Sequence, residues 1–362
     1  MNLNQLMKNG VDGVLQKAAR FYLESKAGRA FLANILPQAA KSARLRDENE
    51  KNGVHVPLFL IASIASQCNL RCAGCYARSM GACSSRGAQS DLSAGEWAGI
   101  FKQASELGVL FILLAGGEPL TRRDVLTAAA DFPGLMFPVF TNGTMFDRSL
   151  IELFEGNRNL IPMFSLEGDK ALTDARRGPG VYDRVESAML RLQEKGMLFG
   201  VSITVTKENM KAVTAPEFVS GLGGRGCGAA GFVEYVPTQE DTEYLALDEE
   251  GTADLVRRTS ALKERLEDMA VLSFPGDEAA MGGCLAAGRG FFHINSTGGA
   301  EPCPFSPYSR FNLRETSIRQ ALNSEYFAGL RAIASREGPH LGGCTLFERK
   351  GEVEALLAGE AG

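Results

Sequence analysis

Between residues 53 and 240 the chain keeps switching between two hydrophobic periods, which narrows the possible folds more than any other feature. Apolar runs rich in β-branched and aromatic residues occupy 57–65, 109–115, 137–141, 161–166, 199–206 and 231–237. Each has the length of a strand. Helical patterns fill the spaces between them. Ser93-Ala-Gly-Glu96 is a capping box that opens a helix to about Leu107. Thr121 and Asp147 are candidate N-caps for the next two helices. Val185, Ala188, Met189 and Leu192 form an apolar stripe that Gly196 ends. Near-continuous apolar strands joined by helices imply a parallel sheet covered on both faces, so the expected fold class is α/β. Six such units are too few to close an eight-fold barrel. In open sheets and barrels alike, the site lies at the C-terminal ends of the strands.

Three cysteines stand at such an end. Cys68, Cys72 and Cys75 follow the first strand at CxxxCxxC spacing. Soft thiolates select zinc, copper(I) or iron–sulfur clusters. Structural zinc usually takes four protein ligands, and this loop offers three; a zinc or disulfide loop is the alternative. An iron–sulfur cluster held by three sulfurs leaves one iron open to a small molecule. Eight cysteines in 362 residues do not suggest a disulfide scaffold. With 45% apolar and 22% charged residues the chain reads as soluble and globular, with room for a large and a smaller domain. A net charge of −5 argues against nucleic acid as the main partner. Apolar runs such as 109–115 are too short to span a bilayer, and the first residues lack the layout of a secretory signal. A cytoplasmic location is expected.

The cysteine loop, together with Ala115-Gly116-Gly117-Glu118-Pro119 after the second strand, resembles the radical S-adenosylmethionine (radical SAM) superfamily from about Pro57 to Cys344. The resemblance implies a partial (β/α)6 TIM-like barrel. It implies a [4Fe–4S] cluster on Cys68, Cys72 and Cys75 whose fourth iron chelates SAM, and a low-potential electron donor of flavodoxin or ferredoxin type. Gly116, Gly117 and Glu118 would meet the SAM ammonium group, the paired glycines letting backbone approach a ligand. Thr141 and Asn142 would lie near the cofactor. Ser165 and Glu167 share one side of their strand and would face the SAM ribose and the substrate. Arg177, in the loop 176–178, would pair with the SAM carboxylate. Ser202 alternates with Thr204 along strand five, and Val236 with Pro237 would suit the adenine ring. Glu234 and Glu167 are the candidate catalytic carboxylates; Glu234 bonding a neighbouring backbone is the alternative. The residue before the last cysteine, commonly aromatic in the family, is Gly74, and Tyr76 is the candidate replacement.

Three segments are expected: an N-terminal helical extension (1–52), the core (53–240), and a linker helix with a small cysteine-containing extension (241–362). The linker helix runs from about Glu249 to Met269 behind Asp248. Cys284, Cys303 and Cys344 follow, with a β-hairpin between the first two around Ser-Thr-Gly-Gly. Their order resembles the SPASM and twitch branches of the superfamily and implies one auxiliary [4Fe–4S] cluster. Cys83, Cys227, His340 and His293 are candidates for its fourth ligand, and a zinc site is the alternative. Residues 347–357 read as a closing helix. The first segment reads as two helices over 3–43, broken near Pro37, then a linker at 46–52. Its basic residues are a solvated face or, in the other reading, a surface for an acidic or lipidic substrate or a membrane. The function expected is reductive cleavage of SAM to a 5′-deoxyadenosyl radical that takes hydrogen from a peptide or small-molecule substrate. A non-enzymatic iron–sulfur carrier or scaffold is the alternative.

Overall fold

The computed structural model describes residue 13 and residues 16–23, 25–83, 91–274, 282–336 and 344–359. Its centre is one sheet. The strands are β1 (Phe59–Ala65), β2 (Phe111–Gly116), β3 (Phe137–Thr141), β4 (Leu160–Leu166), β5 (Gly200–Val205), β6 (Ala229–Glu234), β7 (Ala270–Phe274), β8 (His293–Ile294), β9 (Gly299–Glu301) and β10 (Phe311–Asn312). All six expected runs are strands. From β1 to β7 neighbours are parallel and in sequence order. The order is linear from β10 to β7, so among the described residues the barrel stays open.

Each strand presents two faces. Leu60, Ala62 and Ile64, Ile112 and Leu114, Phe137 and Val139, Phe164 and Leu166, and Val201, Ile203 and Val205 pack in the main core against the helix layer. From that layer come Trp97, Phe101, Leu126, Phe154 and Val185. Each large side chain buried there contributes about 1.5–3 kcal/mol. The alternate residues, among them Ile61, Leu113, Phe140, Ser165, Ser202 and Thr204, line the barrel interior and are half-buried.

The capping box forms as expected: the Glu96 N–H donates to Ser93 Oγ and the Ser93 N–H to the Glu96 carboxylate. Asp147 and Asp248 also cap as expected. Thr121 does not; it sits in a short 3-10 turn, and the helix Arg123–Ala130 starts after Arg122. The linker helix ends at Arg265, not near Met269, and residues 270–274 form a seventh parallel strand beside β6. Met269 continues the apolar spacing of the helix, which hid the strand behind it. The hairpin β8–β9 pairs His293 with Glu301 as expected, but β8 also runs parallel to β1, with Ile61 opposite His293. The C-terminal segment therefore extends the core sheet.

The N-terminal segment closes the end of the barrel opposite the strand C-termini. Tyr22, Ile35, Phe31 and Leu32 pack on Phe111, Met136, Ile161 and Leu198, all at or before strand starts. Lys17 Nζ donates to the carbonyls of Leu266 (2.7 Å) and Met269 (3.1 Å), and Arg20 pairs with Asp268 at 3.0 Å. Those two basic residues are thus spent inside the molecule. Pro37 does not break its helix, which runs Lys26–Lys51. The expected linker at 46–52 is its last turns, because Arg46 donates to the Gly108 carbonyl and Asn49 to that of Leu107, capping the end of helix Ala94–Leu107. The expected start near residue 3 lies outside the described residues. No helix among the described residues is long and apolar enough to cross a membrane.

Candidate cofactor site at the barrel mouth

The loop carrying Cys68, Cys72 and Cys75 leaves β1 at its C-terminal end and is held from three sides. On one side, the Gly117 and Glu118 N–H groups donate to the carbonyls of Ala65 and Gln67, each at 2.7 Å. A Cβ on Gly117 would stand 2.0 Å from the Gln67 carbonyl oxygen, and one on Gly116 (φ +114°) 2.5 Å from that of Ala65. The paired glycines are therefore required by the approach of β1's own backbone. On a second side, the buried Glu118 carboxylate accepts from Leu120 N (3.0 Å), Thr141 Oγ1 (2.7 Å) and Asn142 N (2.8 Å). Asn142 Nδ2 in turn donates to Asn69 Oδ1 at 2.9 Å and lies 3.9 Å from Cys68 Sγ. The expected Gly-Gly-Glu and Thr-Asn-Gly segments are thus one hydrogen-bonded unit beneath the loop. Burial pushes the Glu118 carboxyl up, against those three donors.

The third side is helix Lys170–Arg177, where the sequence suggested a loop at 176–178. Arg176 Nε donates to the Ala73 carbonyl at 3.2 Å, and the Ala73 N–H to the Arg176 carbonyl at 2.9 Å. Arg176 Nη1 and Arg177 Nε also reach Glu167 Oε1, each at 2.7 Å. Arg177, expected to meet a carboxylate of SAM, is paired with a carboxylate of the protein. Glu167 is 2% exposed, and its Oε2 is buried with no partner. Asn209 Nδ2 ties the ends of β4 and β5 by donating to the carbonyls of Glu167 (3.1 Å) and Thr204 (2.9 Å). Ser165 and Ser202 are direct register neighbours on the interior face, below Glu167.

Glu234 stands apart from this group. It sides with Ala230 and Phe232, on the face toward helix Glu249–Arg265, and accepts from Thr252 Oγ1 at 2.9 Å. Its other oxygen is buried without a partner, and burial pushes its carboxyl up to about 7. The structure does not bring it to Glu167. Val236 is buried just past β6. Tyr76 opens a short helix and packs on Phe305 with ring centroids 5.1 Å apart, so it bridges the cysteine loop and the C-terminal segment.

Thiol chemistry fits a polynuclear metal group at the loop. None of the eight cysteines is in a disulfide, and Cys68, Cys72 and Cys75 are half-buried. Burial pushes the Cys68 thiol up to about 11, against the Leu70 N–H that favours its thiolate. Burial raises Cys72 too, opposed by Arg177. Metal binding must displace those protons, and Arg177 offsets the thiolate charge. Among the described residues no three Cys, His, Asp or Glu side chains are gathered tightly enough for a single metal ion; sulfurs around a four-iron cluster stand wider apart. One carboxylate oxygen of Glu167 and the Tyr235 hydroxyl are buried without a hydrogen-bond partner.

Cys284, Cys303 and Cys344 are all buried and converge. Burial raises the Cys303 thiol well above its usual range, and Cys344 and Cys284 add to it. Of the candidate fourth ligands, His293 has both ring nitrogens engaged, Nε2 with Ser63 Oγ (2.8 Å) and Nδ1 with Glu301 Oε2 (2.7 Å). Cys227 lies at the opposite end of β6 and contacts the Ala229 carbonyl at 3.1 Å. Cys83 is buried and close enough to Cys75 and Tyr76 to act on them electrostatically. His340 lies outside the described residues. Sequence reading missed Arg176, Asn69, Tyr235 and the Ser63–His293–Glu301 chain. Only Arg176, adjacent to Arg177, carried a local signal.

Comparisons with known proteins point to one superfamily. The model of the radical SAM superfamily matches residues 63–215, from the end of β1 to past β5. An AdoMet-dependent heme synthase of Methanosarcina barkeri is 28% identical over 309 residues, 76% of this chain and 85% of that one. A PqqA peptide cyclase of Rhizobium meliloti is 26% identical over 279 residues, 72% of each chain. The crystal structure of Streptococcus suis SuiB bound to S-adenosylmethionine shares the fold, with a TM-score of 0.64 at 21% identity over 81% of this chain and 72% of that one. An open parallel barrel, a CxxxCxxC loop braced by Gly-Gly-Glu at its mouth, and the matched segment identify residues 63–215 as a radical SAM domain, and the chain is similar to enzymes that carry one.

Proposed function

We propose that Cys68, Cys72 and Cys75 hold a [4Fe–4S] cluster and that SAM binds beside it, at the barrel mouth. When bound, the cluster would supply one-electron reduction of SAM, the chemistry by which hydrogen is abstracted from a substrate and methionine and 5′-deoxyadenosine are released. The protein's share is to hold the reacting groups in line and exclude water. Glu118 and Asn142 brace the loop. Gly116 and Gly117 keep its backbone against β1, and Thr141 anchors Glu118. Glu167, Ser165 and Ser202 supply polar groups along one interior wall. Arg177 balances thiolate charge and orients Glu167, whose free oxygen accepts a hydroxyl of the ligand or substrate. Tyr76 and Val236 wall the mouth. Glu234, on the outer face, we assign to strand-end packing with Thr252.

The observation that carries this reading is the cysteine loop braced by Glu118 beneath and Arg176 above, at the open end of the barrel. Residues 241–362 are proposed to carry an auxiliary [4Fe–4S] cluster on Cys284, Cys303 and Cys344, beyond a core of 53–240 and a helical extension of 1–52. A flavodoxin- or ferredoxin-type protein would supply electrons. A peptide substrate is supported by the PqqA peptide cyclase relative and by SuiB, which has been crystallised with its precursor peptide SuiA. A small-molecule substrate of porphyrin type is favoured by the heme synthase relative. Anaerobic reconstitution with iron and sulfide, then SAM and a low-potential reductant, tests the reading. Release of 5′-deoxyadenosine is expected; cluster absorbance without SAM cleavage would return the chain to the carrier reading.

A further inference from the structure

Helix Lys26–Lys51 buries one side and leaves the other bare. Gly28, Ile35 and Ser42 are buried at heptad spacing. A Cβ on Gly28 would meet the Tyr22 carbonyl oxygen at 2.2 Å, and Ile35 packs with Met136 and Ile161 beside the starts of β3 and β4. The opposite side therefore looks away from the barrel, at the end remote from the cysteine loop. On that side Ala30, Ala33, Pro37 and Ala40 recur at three- and four-residue steps, and all are exposed. Lys26 and Arg29 stand at one end of this apolar line, and Lys41 and Arg44 at the other. The span is roughly 27 Å at a rise of about 1.5 Å per residue. These cations are exposed too, and among the described residues none of them has an acidic partner. Arg29 Nη1 donates to the Leu23 carbonyl at 2.8 Å, which holds the end of the preceding helix against this face. Leu23 and Leu36 border it, 56% and 53% exposed. From Ser25 to Arg46 no Asp or Glu occurs, in a chain whose net charge is −5. Positive charge is thus gathered on one helix face, around apolar side chains that the protein itself does not cover.

We propose that this face is an interfacial helix that lays the closed end of the barrel on a bilayer surface carrying anionic phospholipid headgroups. Such helices combine a basic border with apolar side chains: the cations meet headgroup phosphates, and the apolar groups enter the layer beneath them. Each cation near an anionic leaflet strengthens binding about fivefold. An acidic protein would need the cations alone, whereas Leu23 and Leu36 beside them favour lipid. Docked in this way, the chain keeps its barrel mouth and cysteine loop facing solvent, because they lie at the other end of the strands.

The test is co-sedimentation of the full chain with vesicles of phosphatidylglycerol and phosphatidylcholine in equal parts, beside vesicles of phosphatidylcholine alone. Binding to the anionic vesicles is expected, falling steeply as salt is raised, with none to the neutral ones. Lys41→Gln combined with Arg44→Gln should weaken binding about twentyfold, the product of two cations, and leave the thermal midpoint unchanged, since both side chains are exposed. Leu23→Ser combined with Leu36→Ser should weaken binding several-fold and keep its salt dependence. No binding to the anionic vesicles would overturn the proposal, as would equal binding to neutral vesicles or an unchanged affinity in the Lys41/Arg44 variant. Soluble polyglutamate bound as tightly as the vesicles, with no effect of the leucine changes, would overturn it too and give the face to an acidic protein.

Discussion

The two cysteine sets are built on opposite plans. Cys68, Cys72 and Cys75 are half-buried at the barrel mouth, and Arg176, Arg177 and Glu167 crowd beside them. Cys284, Cys303 and Cys344 are buried behind the hairpin that extends the sheet past β1. Exposure with nearby charge suits a site that exchanges ligands and electrons. Enclosure suits a site that, once filled, stays filled. The same residue type at similar density thus carries two expectations, set by where the fold puts it.

The largest contrast should come from the cysteines themselves. Cys72→Ala is expected to take 5′-deoxyadenosine release below detection while leaving far-UV circular dichroism and the thermal midpoint nearly unchanged. Cys303→Ala should instead lower the midpoint of the reconstituted protein. Equal thermal losses in both would erase the distinction. Beside the first set, Glu167→Leu leaves two arginines sharing no carboxylate, and urea unfolding should show a loss of about 3–5 kcal/mol. A near-neutral result would mean that solvent already screens the pair.

Glu234 serves as a control outside both sets. Its carboxyl is pushed up to about 7 by burial, above the ordinary value of about 4.3 for an unfolded chain. The folded state therefore binds the proton more tightly. That contribution is full below about pH 4 and is lost as pH rises through about 7, on the order of 3 kcal/mol in all. Glu234→Gln should flatten the decline of thermal midpoint across that window without changing SAM affinity. Beside the second set, His293→Phe leaves Glu301 with Asn295 as its remaining side-chain partner. Chemical denaturation should show a loss of about 1–3 kcal/mol. A smaller loss would mean that water replaces the ring.

Residues 57–237 declared most of this architecture by period alone. Apolar runs spaced by capped helices specify a parallel sheet, because no other arrangement covers both faces of such strands. The CxxxCxxC spacing and Gly-Gly-Glu marked the mouth, since metal ligands and close backbone contacts restrict residue type locally. Segment type failed where a partner distant in sequence decided it. Residues 270–274 became a strand because β6 offered an open edge, and 46–52 stayed helical because Gly108 and Leu107 offered carbonyls to cap. Likewise Arg177 was legible as a cation at the site, but its pairing with Glu167 was not. Tyr235 had no signal of its own; its contact with Gly74, far away in the chain, and the burial of its hydroxyl without a partner belong to the fold. Period and spacing are properties of neighbours in sequence, and sequence fixes them. Pairing, burial and orphaned atoms arise between segments, and only the folded chain decides them.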